Sequence, residues 1–176
     1  MEANDELKEH AEHARAPFDK RVAATMAIIA AALAMVSVAG HLFATQELLK
    51  QQESSDTWAQ YQAKAIRRYD SEIARDVLAV LGGPEASKLT QRYNAKIETY
   101  NADAETIQKE AETFKKESEL RGAQALRLDI GEIFLEIAIV FASLAILTKR
   151  SMLYWTAVVS GTIGVVVAAT TVFVHG

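Results

Sequence analysis

Three stretches of this chain carry almost no charge: residues 22–43, 130–148 and 153–174. At 1.5 Å of rise per residue, an uncharged helix of about 20 residues crosses a hydrocarbon core roughly 30 Å thick. The first and third stretches meet that length with no formally charged residue, setting aside a proton on His41. The middle one holds Glu132 and Glu136, but its inner part, 137–147, is apolar except for Ser143. Three spans are therefore expected. Half the chain is apolar and 24% is charged, and nearly all of that charge lies outside the three stretches. Such segregation excludes an ordinary soluble globule and a disordered polar chain, and the absence of cysteine excludes a disulfide-stapled domain. A net charge of −4 with no basic stripe argues against nucleic acid as a partner.

The segment before the first span, 1–21, contains Glu2, Asp5, Glu6, Glu9, Glu12 and Asp19. A signal peptide needs a short basic start and a shorter apolar core, so the first span reads as an anchor. Lys20 and Arg21 abut it, and Lys149 and Arg150 fall in the short turn 149–152 between spans two and three. With three spans, both basic sites face one side. Positive-inside logic makes that side the cytoplasm and places 44–129 in the periplasm of a bacterial inner membrane. Tyr154 and Trp155 suit an interfacial aromatic belt.

The polar segment 44–129 has helical order. Leu89, Tyr93, Ile97, Tyr100, Ala104, Ile107, Ala111 and Phe114 recur at steps of three and four, a stripe close to a heptad seam. Trp58, Ile66, Tyr69, Ile73, Val77 and Val80 with Leu81 form a second stripe of helical period. Gly82, Gly83 and Pro84 separate them, with glycine suited to ending one helix and proline to opening the next. The expectation is an antiparallel coiled-coil hairpin with its tip at 82–84. Its register sets Val77 near Leu89, Ile73 near Tyr93 and Ile97, and Trp58 near Ala111 and Phe114. The arms differ in length, so a break is expected in the shorter one at 51–56, where Ser54, Ser55 and Asp56 are possible N-caps. So narrow a hairpin buries one seam per arm, which favours a homo-oligomer.

The run Ser55, Asp56, Thr57, Trp58, Ala59, Gln60, Tyr61, Gln62, Ala63, Lys64, Ala65, Ile66 resembles the signature helix of a family of small bacterial membrane proteins. That family is catalogued only as a domain of unknown function. Glu9–His10, Glu12–His13, the Lys/Glu-rich stretch 109–119 and the run from Ile137 through Thr148, Lys149 and Arg150 are similar to its other segments. The resemblance implies three spans and brings no catalytic residues.

Glu132 and Glu136 are four residues apart, so both carboxylates lie on one face of span two, with Asp129 on the same side. Ionisable groups inside a span mark a proton relay, an ion site or an inter-helix contact. His41 is the partner to consider, because Ala23, Ala27, Ala30, Ala34, Ser37 and His41 form a seam of small residues expected to face another helix. Span two has its own small face in Gly131, Ala138, Ala142 and Ala145, and span three a ladder of Ser160, Gly164 and Ala168. The acids point away from span two's small face, so two different neighbours are expected for it. Trp58, Tyr61 and Phe114 are candidate contact residues. His10 and His13 are weak candidate metal ligands, and no cofactor is implied.

No phosphate loop, dinucleotide glycine pattern, nucleophile elbow or zinc-protease motif occurs, so an enzyme is not expected. The function class that fits best is a structural or interaction module in contact with membrane lipids, holding a protein partner through the hairpin. The alternative is a small homo-oligomeric ion or proton channel using a Glu132/Glu136 layer.

Overall fold

The computed structural model describes residues 2–173, with side chains from Pro17 onward. The described chain is all-α. Helix α1 runs Glu2–Leu81, α2 Pro84–Thr148 and α3 Ser151–Ala169, followed by one 3₁₀ turn, Thr170–Phe173. Each of the three helices contains a window long and apolar enough to cross a membrane.

Both turns are two residues long and use the left-handed region. Gly82 and Gly83 have φ of 67° and 96°, which glycine adopts without a Cβ penalty, and Pro84 opens α2 at a position needing no N–H. Between α2 and α3, Lys149 takes φ 56° despite its side chain, and its ammonium group binds Asp19.

The described chain divides into two compact units, one made of the residues up to Thr45 together with those from Leu120 onward, the other of Gln46–Glu119. In the first, the small faces of α2 and α3 are packed as their sequence suggests. Ala138, Ala142, Ala145, Ala157, Ser160, Gly164 and Ala168 are all buried. Gly131 and Gly164 bring α2 and α3 into backbone contact. A Cβ built on Gly164 would lie 2.7 Å from the Gly131 carbonyl oxygen, and one on Gly131 would lie 2.8 Å from that of Gly164. Ser160 Oγ donates to the Phe134 carbonyl at 2.7 Å, fastening the same crossing.

The small seam expected on α1 is a different matter. Ala23, Ala27, Ala30, Ala34 and His41 are exposed and Ser37 is half-buried. Val22 and Ile29 point inward instead, Val22 against Ala142, Ala145 and Ala157, Ile29 against Leu135 and Ala138. The cause is complementarity of volume. Two facing helices already lined with glycine and alanine leave hollows, and bulky β-branched side chains fill them to crystal-like density where further alanines would leave voids.

The second unit is an antiparallel helix pair. Lys50 meets Glu117, Ser54 meets Ala111, Lys64 meets Asp103 and Arg68 meets Asn101. Steps toward the tip on α1 are therefore matched by nearly equal steps back on α2. The expected break at 51–56 is absent, because α1 is continuous there. Ser55 and Thr57 hydroxyls donate to the carbonyls of Gln51 and Glu53, four residues back, and so are satisfied inside the helix rather than capping a new one. The length mismatch that suggested a break disappears as well. In the first unit Asp129 lies against Gly40, its carboxylate oxygen 3.3 Å from where a Gly40 Cβ would stand, so the apolar runs of α1 and α2 are offset in register.

Candidate functional site

The hairpin seam is built from one expected stripe and one unexpected one. On α2, Ile97 and Ala111 are buried, and Tyr93, Tyr100, Ala104, Ile107 and Phe114 are half-buried. From Tyr93 to Phe114 the stripe faces α1 as its spacing predicts, whereas Leu89, the expected partner of Val77 near the tip, is 41% exposed and lies outside the seam. On α1 the expected stripe faces the other way: Ile66 is 61% exposed, Ile73 63% and Val80 88%, with Tyr69, Val77 and Leu81 exposed beside them. The inward positions of α1 are Ser54, Thr57 and Ser71, all buried, with Tyr61, Lys64, Arg68 and Leu78 half-buried among them.

Polar chemistry explains why those residues win the seam. Lys50 lies over the Phe114 ring at 4.9 Å and binds Glu117 at 3.1 Å. Lys64 lies over the Tyr100 ring at 5.7 Å and binds Asp103 at 2.6 Å. Their aliphatic stems cover α2's apolar surface while the ammonium groups remain partly hydrated and paired. Ser54 Oγ donates to the Ala111 carbonyl at 3.0 Å, and Ser118 Oγ to the Glu47 carbonyl at 3.1 Å. Small hydroxyl residues thus allow close approach and cross-link the two backbones.

The candidate contact residues separate accordingly. Phe114 belongs to the seam, under Lys50 rather than Trp58. Trp58 is half-buried, its ring edge-on to Tyr61 at 5.3 Å between centroids, and it borders a shallow cleft with Ser54, Lys115 and Ser118. Sequence reading missed the exposed stripe of α1 because it assigned every apolar stripe to the seam. A signal was available. Lys50, Ser54, Thr57, Tyr61, Lys64, Arg68 and Ser71 alternate steps of four and three without exception, the rhythm of the facing α2 stripe.

The acidic residues of α2 stand apart from the packed face. Glu132 is half-buried, and Asp129 and Glu136 are exposed. Glu136 lies between Leu135 and Ala138, both packed on Ile29, so it sits level with the interior of the first apolar run. Among the described residues no hydrogen bond or ion pair joins Glu132 or Glu136 to His41. The His41 side chain is exposed, and its carbonyl accepts the Thr45 hydroxyl at 2.8 Å. The expectation that the acids would give α2 a second neighbour is not met within one chain: α2 meets both other helices through Gly131, Leu135 and the alanines. Among the described residues no group of three His, Cys, Asp or Glu could hold a metal ion. The side chains of His10 and His13 lie outside the described residues. An apolar crevice bordered by Ile28, Ile29, Leu135, Gly161 and Val165 has no charged lining.

Neither the curated proteins nor the solved structures contain a match to this chain. A family model does match it, over residues 18–174, which takes in α1 from Phe18 onward with the Trp58 signature run, and all of α2 and α3. The chain belongs to the family described as a domain of unknown function, DUF4337.

Proposed function

We propose that this protein is a self-associating structural module of the bacterial inner membrane, its three apolar segments spanning the bilayer and its hairpin presented to partners in the periplasm. The observation that carries the proposal is the exposed stripe of α1. Monomeric soluble surfaces rarely leave a contiguous run of large aliphatic side chains in water, and such a patch marks an interaction site. The absence of any catalytic motif in the sequence supports an interaction role over an enzymatic one. The positive flanks Lys20, Arg21, Lys149 and Arg150 support the orientation.

Two measurements test it. The mass of the detergent-solubilised assembly is expected to be a multiple of 19.3 kDa, and a monomer would remove the self-association. A single cysteine in place of Ser87, exposed beside the hairpin tip in a chain that has no cysteine of its own, should react with a membrane-impermeant maleimide from the periplasmic side. Labelling only after lysis would reverse the orientation.

A second reading, an ion or proton pathway, draws support from Glu136. An exposed carboxylate level with the middle of an apolar run is costly in lipid unless water or another subunit meets it. Flux into liposomes that survives Glu132→Gln with Glu136→Gln unchanged would eliminate that reading.

A further inference from the structure

We propose that the stripe of α1 is covered by a second copy of this chain, and specifically by the outer face of the neighbour's α2. This rests on the self-association proposed above and adds the surface through which it occurs.

Helix α2 turns Tyr93, Ile97, Tyr100 and Ala104 inward, so at about 100° per residue Ala95 and Ala102 lie on its opposite face. Both are exposed. Beside them Arg92, Ala95, Lys96, Thr99 and Tyr100 border a shallow depression. On that outer face Ala95, Thr99 and Ala102, all exposed, leave room for the bulk of Ile66, Tyr69 and Ile73.

Charge sets the pairing. Asp70 flanks the α1 stripe, and Arg92 and Lys96 flank the outer face of α2; among the described residues none of the three has an ion-pair partner. Lys64–Asp103 and Arg68–Asn101 fix the hairpin register. Continued toward the tip, it puts Lys96 level with Ser71 to Ile73, within one turn of Asp70, and Arg92 about a turn beyond, level with Arg75 to Val77. When α1 of one copy lies antiparallel to α2 of the next at equal height, Asp70 and the two cations fall on the same flank. Packing two α1 stripes together in parallel does the reverse, since opposite flanks then meet and Asp70 approaches the neighbour's Asp76. Unlike charges across a contact fix its register, and like charges oppose it.

A contact between two different faces is heterologous: every copy has one stripe and one outer α2 face to offer, so the contacts propagate into a ring or a filament. Disulfide trapping tests this, and the cysteine-free chain makes it clean. Within one copy Ile73 and Ala95 point away from each other, so a disulfide between them joins copies. In membranes oxidised with copper phenanthroline, Ile73→Cys with Ala95→Cys should give a ladder of dimers, trimers and larger species. Ile66→Cys with Ala102→Cys, two turns further down, should do the same. Ile73→Cys co-expressed with Ala95→Cys on separate chains should stop at dimers. Asp70→Lys should weaken the ladder several-fold, and Lys96→Glu added to it should restore the yield.

Dimers from Ile73→Cys alone would overturn the assignment in favour of stripe-on-stripe packing. No cross-link from either pair, in an assembly whose mass is multimeric, would overturn this surface and leave self-association standing. A monomeric mass would remove both.

Discussion

Helices α1 and α2 each carry a pattern of residues that reads as a packing face, and they use those patterns in opposite ways. In the hairpin unit, α2 turns its apolar stripe to its partner while α1 turns its own away. In the three-helix unit, the small face of α2 is buried while the alanine row of α1 is exposed. Period does not separate the two hairpin stripes. From Tyr93 to Phe114 the α2 residues repeat every seven positions, or 3.5 per turn, which keeps a stripe facing a partner along its length. On α1, Ile66, Ile73 and Val80 are also seven apart, so that helix carries two faces of heptad rhythm, one aliphatic and one of hydroxyl and cationic residues. The second face forms the contact within the chain.

The largest test of this asymmetry lies where α2 meets α3. Gly164→Leu drives a side chain into the Gly131 carbonyl and Leu135, where a Cβ alone would already stand 2.7 and 2.9 Å from its neighbours. Overpacking of that kind costs about 3 kcal/mol. Ala30→Leu, on the exposed row of α1, should change stability of the single chain by less than about 0.5 kcal/mol. Thermal unfolding in detergent compares them, and equal losses would mean that the alanine row of α1 is buried after all.

In the hairpin the matching pair is Ile97→Ala and Ile73→Ala. Ile97 is 9% exposed, so its truncation should cost about 2 kcal/mol, toward the low end for a buried isoleucine at a narrow seam. Ile73→Ala should leave hairpin stability within about 0.5 kcal/mol and shift the assembly toward smaller species. Denaturant unfolding followed through Trp58, together with a mass measurement, reads both effects.

What could be read beforehand followed from how many solutions each local pattern allows. Gly82, Gly83 and Pro84 admit little but a reversal. Gly131 and Gly164 permit a backbone approach that larger residues forbid, so the packed faces of α2 and α3 were legible. Helix α1 was not, because hydrophobicity alone cannot show whether a stripe meets its own chain or another. The same limit hid the level of the acids. The apolar run of α1 ends at Phe43 and that of α2 begins at Ile130, and only the register placing Asp129 against Gly40 shows that these edges are staggered. Glu136 therefore lies deeper than its position near the start of a run suggests.

A smaller effect is expected from Lys64→Met. It keeps the stem over Tyr100 and removes the charge that pairs with Asp103. Both side chains are about one-third exposed, so solvent screening limits the loss to under about 1 kcal/mol. A loss as large as that of Ile97→Ala would mean that the α1 face of the seam depends on charge more than on close approach.

The smallest effect is on pH, and it separates a contact across the seam from one along a single helix. The Lys50 ammonium is held above its ordinary value of 10.5 by hydrogen bonds to Glu53 and, across the seam, Glu117. A raised value in the folded chain means its contribution is complete below 10.5 and fades only as pH climbs beyond it. Glu105 is held below its ordinary 4.5 by the hydrogen bond from Lys109, so that contribution is complete above 4.5 and fades as pH falls. Lys109 and Glu105 sit four residues apart on the exposed side of α2, and among the described residues neither has a hydrogen bond or ion pair to α1. Alkaline titration should therefore loosen the hairpin near Phe114, and Lys50→Gln should abolish that alkaline step. Acid titration of Glu105 should alter helicity alone. Cysteines placed at Ser54 and Ala111 report seam opening through their rate of alkylation. A seam that ignores alkali in the presence of Lys50 would show that this cation lies beside the contact and does not hold it.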